Sequence, residues 1–212
     1  MSETNNNILY YIHDPMCSWC WGFKPVLEQI EQQLPDEVSM QYVLGGLAAD
    51  SDQPMPEKMQ HFLQKTWRTI AEKIPGTEFN YNFWTNCQPR RSTYPSCRAV
   101  IAARKQNINK EKTMITEIQK AYYLNAMNPS DNDTLISIAQ NINLNTDVFI
   151  QDLNSQETRQ ALMQEIQFAQ TLGARGFPSL VFETNEKLTS LNLDYINASN
   201  VLHQLSQLLP DN

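Results

Sequence analysis

Cys17 and Cys20 stand three positions apart in the run Cys17-Ser18-Trp19-Cys20, between an apolar stretch and a helical pattern. Two thiols at that spacing close and open a small disulfide, so the chemistry they suit is thiol–disulfide exchange. The attacking species is the thiolate. It is favoured at the first turn of a helix, where unpaired backbone N–H groups and the positive end of the helix dipole converge. Cysteines in such motifs and positions titrate at roughly 3.5 to 7.5 rather than near ~8.5. Cys17 falls at a helix start and Cys20 one turn further in. Cys17 is therefore read as the attacking thiol, and Cys20 as the more buried, resolving thiol that expels a mixed-disulfide partner. Half of a structural zinc site is the rival use. That site needs a second pair or two closely spaced histidines. Cys87 and Cys97 lie ten residues apart and His13, His61 and His203 are scattered, so no metal is expected. Two inert buried cysteines are the other bland reading.

The elements that must position these thiols are legible around them. Ile8-Leu9-Tyr10-Tyr11-Ile12 has the β-branched and aromatic content of a buried strand, ended by His13-Asp14-Pro15. Phe23, Leu27, Ile30 and Leu34 then recur at helical offsets until Pro35-Asp36. Met40 to Leu44 reads as a second strand closed by Gly45-Gly46, and the polar stretch Ala48 to Pro56 as a boundary. From Met55 to about Leu153 no segment reads as a strand. Helical patterns appear at Met59-Phe62-Leu63-Thr66-Ile70, Cys97-Val100-Ile101-Arg104, Ile115-Ile118-Tyr122 and Leu135-Ile138-Ala139-Ile142, separated by Pro75-Gly76, Pro89, Pro95 and Pro129. A longer helix is predicted from an Asn154-x-x-Glu157 capping signal through Leu162, Ile166 and Ala169 to Gly173. Strands at Pro178 to Phe182 and Lys187 to Leu193 and a helix at Ala198 to Leu209 complete the order β-α-β, helical insert, α-β-β-α.

Strand, Cys-x-x-Cys, helix, and then Gly176-Phe177-Pro178-Ser179-Leu180-Val181-Phe182, which looks like the cis-proline strand of thioredoxin folds, together resemble the DsbA-like thioredoxin-fold oxidoreductases. Within them the chain resembles the FrnE-like branch of predicted protein-disulfide isomerases. Pro25 matches the helix proline of that fold, where the missing donor is expected to bend the helix. The resemblance implies an α/β thioredoxin fold with an inserted all-helical domain. The thioredoxin part would comprise residues 1–50 and 155–212, and the insertion 51–154. It implies catalysis by Cys17 and Cys20, with Trp19, Phe177 and Pro178 binding an extended substrate by a form of strand addition. A tight-turn proline without substrate role is the plainer reading of Pro178. DsbA carries a histidine between its cysteines. Ser18 and Trp19 bring no such charge, so reductase or isomerase activity is expected over net oxidation. Relatives of this fold also often carry a buried acid six residues before the first cysteine. Here that residue is Tyr11, leaving water, Tyr11 or Asp14 to take the Cys20 proton. The chain is similar too to kappa-class glutathione transferases and hydroxychromene-carboxylate isomerases, from which Cys17 departs because they have serine there. A non-catalytic peptide-binding module is the third reading.

With 41% hydrophobic residues in 212, the chain can bury a sizeable core. A net charge of −7 argues against nucleic acid as a partner. Met1 to Asn7 shows no secretory pattern and no apolar run spans a bilayer, so the expected compartment is the reducing cytoplasm. There catalytic disulfides are more plausible than structural ones. Expected partners are protein thiols and disulfides, with glutathione or a thioredoxin-type donor. No bound cofactor is expected, glutathione serving as redox partner or cosubstrate, and the chain as monomer or homodimer. Trp19 reads equally as platform or core, and Trp21 as core. His13, Asp14 and Cys97 are candidate modulators: the first two beside the motif, the third as a redox thiol at the start of an insert helix, though a buried inert thiol is commoner. Arg90, Arg91 and Arg98 form a basic cluster suited to an anion such as a glutathione carboxylate, a solvated helix face being the bland alternative.

Overall fold

The computed structural model of the chain describes residues 7–209. The stretch Met1 to Asn7, from which no secretory signal is expected, lies outside these but for its last residue. Strand β1 (Asn7–His13) is central in a four-stranded sheet of order β2-β1-β3-β4. Its alternation sends Leu9 and Tyr11 to one face and Tyr10 and Ile12 to the other. Helix α1 (Ser18–Gln33) is the crossover that a parallel pairing requires, and it returns the chain to β2 (Val38–Leu44), parallel to β1. Phe23, Val26, Leu27 and Ile30 of α1 are buried against Leu9 and Tyr11. Pro25 lies inside α1, which leaves the Trp21 carbonyl without its usual donor.

Six helices follow: α2 (Glu57–Lys73), α3 (Phe83–Asn86), α4 (Tyr94–Gln106), α5 (Lys110–Tyr123), α6 (Asn132–Asn141) and α7 (Thr146–Leu153). Between β2 and the next strand, the pairing among the described residues is one isolated bridge, Pro54 with Arg90. Helix α4 is the axis of this insert. Its small residues Cys97, Ala99, Ala102 and Ala103 are buried and let α5, α6 and α7 approach closely. Trp67 of α2 anchors an aromatic cluster with Phe79, Tyr81, Phe83, Trp84, Tyr122 and Tyr123, ring centroids 4.9 to 6.0 Å away.

Helix α8 (Gln156–Thr171) joins the two halves. Its Leu162 and Ile166 enter the insert's core, whereas Ala169 lies with Tyr10, Ile12 and Val43 on the sheet. Strands β3 (Ser179–Thr184) and β4 (Lys187–Leu191) run antiparallel, β3 against β1 with Tyr11 opposite Leu180, and α9 (Ala198–Ser206) covers the α1 face. The architecture is a thioredoxin fold carrying a helical insertion. No described helix is long and apolar enough to cross a membrane.

Local expectations shift at several points. The cap of α8 is Ser155, whose hydroxyl accepts the Thr158 N–H at 3.1 Å, one residue beyond the expected Asn154. Helices α3 and α7 were not anticipated. In α7 the apolar residues do not form one stripe: Phe149 and Leu153 are buried while Val148 and Ile150 face out. The predicted stripe of α2 is only partly core, because Phe62 is 62% exposed while Trp67, absent from the pattern, is buried. Strand β4 ends at Leu191 rather than Leu193. Met114, Ile115, Ile118 and Tyr122 bury α5 within the chain.

Candidate active site

The loop leaving β1 is held by Asp14, a fully buried residue. One carboxylate oxygen accepts the Met16 N–H at 2.8 Å. The other accepts the Leu47 N–H at 2.7 Å and the Thr93 hydroxyl at 2.6 Å, with the Cys97 thiol at 3.5 Å. Burial raises its pKa while these donors oppose the shift. The Asp14 carbonyl accepts the Cys17 N–H at 3.0 Å, and the Met16 carbonyl accepts the Tyr123 hydroxyl at 2.7 Å. The loop is thus pinned to β2's end, α4 and α5 at once. Cys17 becomes the N-cap of α1 in an extended conformation, with no side chain capping the helix's first N–H groups.

The Cys17 thiol donates to the Phe177 carbonyl at 3.3 Å, so residues 160 apart in sequence meet at the candidate attacking sulfur. The Phe177–Pro178 peptide is cis. Cys20 is fully buried one turn deeper. Burial, and then the neighbouring Cys17, push its pKa well above the usual range. All four cysteines are free thiols.

A groove of about 220 Å³ opens on Cys17, with Trp19, Met55, Phe62, Leu63, Arg91 and Phe177 among its walls. Trp19 is half-buried and edge-on to Tyr195 at 5.3 Å. Trp21 turns into the insert, stacked on Tyr123 at 5.7 Å with its indole N–H on the Glu78 carbonyl. Phe177 lies against Gly45, where a Cβ would fall 1.9 Å from its ring. Met55, Phe62 and Leu63 escaped the sequence reading as site residues. Adjacent apolar residues Phe62 and Leu63 cannot both sit at the centre of one helix stripe, and that is the only signal the sequence carries.

The other candidates divide. His13 is buried with neither ring nitrogen hydrogen-bonded, stacked on Tyr11, and desolvation with the Arg104 charge lowers its pKa to about 3. It is neutral and lends no charge to the thiols. Cys97 is fully buried and its thiol is raised well above the usual range, first by burial and then by Asp14. The arginines spread over two cavities that share Arg90, which lines the Cys17 groove with Arg91 and a second cavity with Arg98 and Asp50. Arg98 is buried and pairs with Asp50, and Arg90 pairs with Asp131. Arg91 enters the Cys17 groove with no ion-pair partner among the described residues.

Three comparisons bear on kinship. The ClpXP adapter protein SpxH of Bacillus subtilis (strain 168) is 25% identical over 175 residues, which are 82% of this chain and 57% of that protein. The chain therefore spans under two thirds of that relative's length. Among solved structures, a candidate protein disulfide isomerase from Nitrosomonas europaea superposes with a TM-score of 0.83 at 25% identity, covering 95% of this chain and 97% of that one. The cytosolic disulfide reductase DsbM from Pseudomonas aeruginosa follows with a TM-score of 0.74 at 21% identity, covering 94% and 99%, and shares the fold. DsbM has also been solved with GSH, at a TM-score of 0.69 and 22% identity, covering 87% and 89%. The family model described as thioredoxin matches residues 10–204, nearly the whole chain. With its thiol pair at the start of α1 and a helical insertion between β2 and α8, the chain belongs to the thioredoxin family and has the DsbA-like form of its fold.

Proposed function

We propose that the protein is a thiol–disulfide oxidoreductase acting on protein thiols and disulfides, as a reductase or isomerase, with Cys17 attacking and Cys20 resolving. The observation that carries this reading is the Cys17 sulfur at the N-cap of α1, 3.3 Å from the Phe177 carbonyl and at the edge of an apolar groove, with Cys20 buried behind it. A partner's disulfide enters along Trp19 and Phe177. Cys17 attacks one sulfur, a mixed disulfide forms, and Cys20 displaces the partner to leave the Cys17–Cys20 disulfide. Arg91, without an ion-pair partner among the described residues, suits an acidic group of the partner, or a carboxylate of glutathione acting as electron donor. No bound cofactor is needed, and a reducing compartment such as the cytoplasm suits the direction.

A second reading, peptide capture without redox chemistry, draws on the adapter named among the relatives and on the exposed Phe62 in the same groove. Equilibration in graded glutathione buffers with mass spectrometry separates them. The exchange reading expects a Cys17–Cys20 disulfide, near roughly −270 mV for a reductant or about −180 mV for an isomerase. A pair that never closes removes that reading. A stable glutathione adduct on Cys17 instead favours a glutathione-dependent enzyme.

A further inference from the structure

The charged residues that line the Cys17 groove are both arginines, Arg90 and Arg91, on the segment between α3 and α4. Arg90 is neutralised from outside the groove by its ion pair with Asp131. Arg91 has no ion-pair partner among the described residues, and no carboxylate of those residues lines the groove. Asp14 lies beneath it, but its oxygens are taken by Met16, Leu47, Thr93 and Cys97. A chain of net charge −7 thus presents a positive charge beside its candidate attacking thiol.

The walls of this groove come from different parts of the fold. Cys17, Trp19 and Phe177 belong to the thioredoxin part, whereas Phe62, Leu63 and Arg91 belong to the helical insert. Phe62 lines the groove and is 62% exposed, an apolar ring that the chain's own packing leaves uncovered. Burial raises the pKa of Tyr122, another groove residue, and the Arg91 charge opposes that rise, which puts the guanidinium close to the groove's inner wall. An apolar anchor and a positive charge therefore stand together on the insert's side of the candidate attacking sulfur.

We propose that the insert selects the exchange partner: the groove takes an extended protein segment that presents a bulky apolar side chain to Phe62 and Leu63 and an acidic side chain to Arg91. The inference deepens the exchange reading above and rests on it. The thioredoxin wall supplies the thiol that reacts, and the insert wall reads the side chains that flank the partner's cysteine. A segment with lysine or arginine there meets the Arg91 charge and is disfavoured. Once the partner covers the groove and excludes water, the pair between its carboxylate and the Arg91 guanidinium gains strength over one in open solvent. Glutathione brings carboxylates but no bulky apolar side chain, so it leaves Phe62 uncovered. In the reaction so selected the partner's disulfide is reduced to two thiols, and Cys17 and Cys20 are oxidised to one disulfide.

The test uses the reduced full chain and symmetric disulfide dimers of a short fluorescein-labelled peptide, self-quenched until the disulfide is cleaved. Each peptide has one cysteine, with phenylalanine on one side and glutamate, glutamine or lysine on the other, in both orders. We expect the glutamate dimer to be reduced roughly three- to tenfold faster than the glutamine dimer, between the scale of an exposed ion pair and that of a hydrogen bond to a charged group. The lysine dimer should be slowest. Arg91→Gln is expected to abolish the ratio and Arg91→Glu to reverse it in favour of lysine. Because the ratio is taken within one variant, a change in thiol reactivity or stability cancels. Phe62→Ser should remove the advantage of phenylalanine over alanine in the peptide and keep the preference for glutamate. Equal rates for the three dimers, a glutamate preference that survives Arg91→Glu, or a phenylalanine advantage that survives Phe62→Ser overturns the assignment. Faster reduction of glutathione disulfide than of any peptide dimer overturns it too. A wild-type protein that reduces neither a peptide dimer nor the small neutral disulfide dithiodipyridine overturns the exchange reading itself, so the two failures are distinct.

Discussion

At the residue scale the two cysteines are unequal, and the inequality was readable from spacing alone: one turn of helix separates a capping position from an interior one. Cys17→Ser is expected to remove disulfide exchange entirely, whereas Cys20→Ser keeps the first attack and accumulates a mixed disulfide that mass spectrometry detects. His13 makes a different prediction. Its folded pKa lies at about 3, below the ordinary 6.5. The unfolded chain therefore binds a proton between those values that the folded chain does not. Stability falls as pH drops through that window and is restored above it. Between pH 7 and pH 4 wild type should lose about 3 kcal/mol more than His13→Phe, as read by urea unfolding at both pH values. A variant with the same pH dependence as wild type would refute this account of His13. The sequence showed a histidine at a strand end. It did not show that Tyr11 and Tyr42 would enclose the ring and leave both nitrogens unbonded.

At the level of elements, the groove depends on Gly45. A methyl group there meets the Phe177 ring at 1.9 Å and must displace it. Gly45→Ala is expected to keep reaction with a small aromatic disulfide and to weaken exchange with a protein disulfide roughly tenfold, on the scale of one misplaced apolar anchor. Equal rates with both substrates would show that Phe177 does not bind the partner. The cap of α8 gives a second check: Ser155→Ala should cost about 1 kcal/mol in unfolding free energy, whereas Asn154→Ala should leave the helix cap intact. The sequence signal placed this helix start within one residue. The choice between Asn154 and Ser155 fell to backbone geometry, which aims the Ser155 hydroxyl at Thr158.

For the molecule as a whole, the question is what couples the insert to the sheet. Arg104 of α4 pairs with Glu111 of α5 at 2.8 Å and with Glu165 of α8, and Glu165 accepts the Leu44 N–H at the end of β2 at 3.0 Å. Removing the guanidinium leaves two mostly buried carboxylates facing one another. Arg104→Ala should therefore lower stability by about 2 to 3 kcal/mol, less than for a fully buried pair. Because α8 packs into both cores, unfolding by urea should remain one transition seen alike by near-UV and far-UV circular dichroism. Two separate transitions would show that the insert and the thioredoxin part are independent.

The sequence by itself determined the order of the strands and of every helix but α3 and α7, the thiol pair at a helix start and the helical character of the insert. Each is written in local periodicity and turn residues, which act within a few positions of the chain. Only the tertiary structure brought Phe177 to Cys17 and made Phe62 a groove wall. It also paired Arg90 with Asp131 and Arg98 with Asp50, and opened a cavity on Tyr11 behind Cys20. Those outcomes depend on how α2, α5 and β3 pack around β1, and contacts between residues far apart in the chain leave no periodic trace.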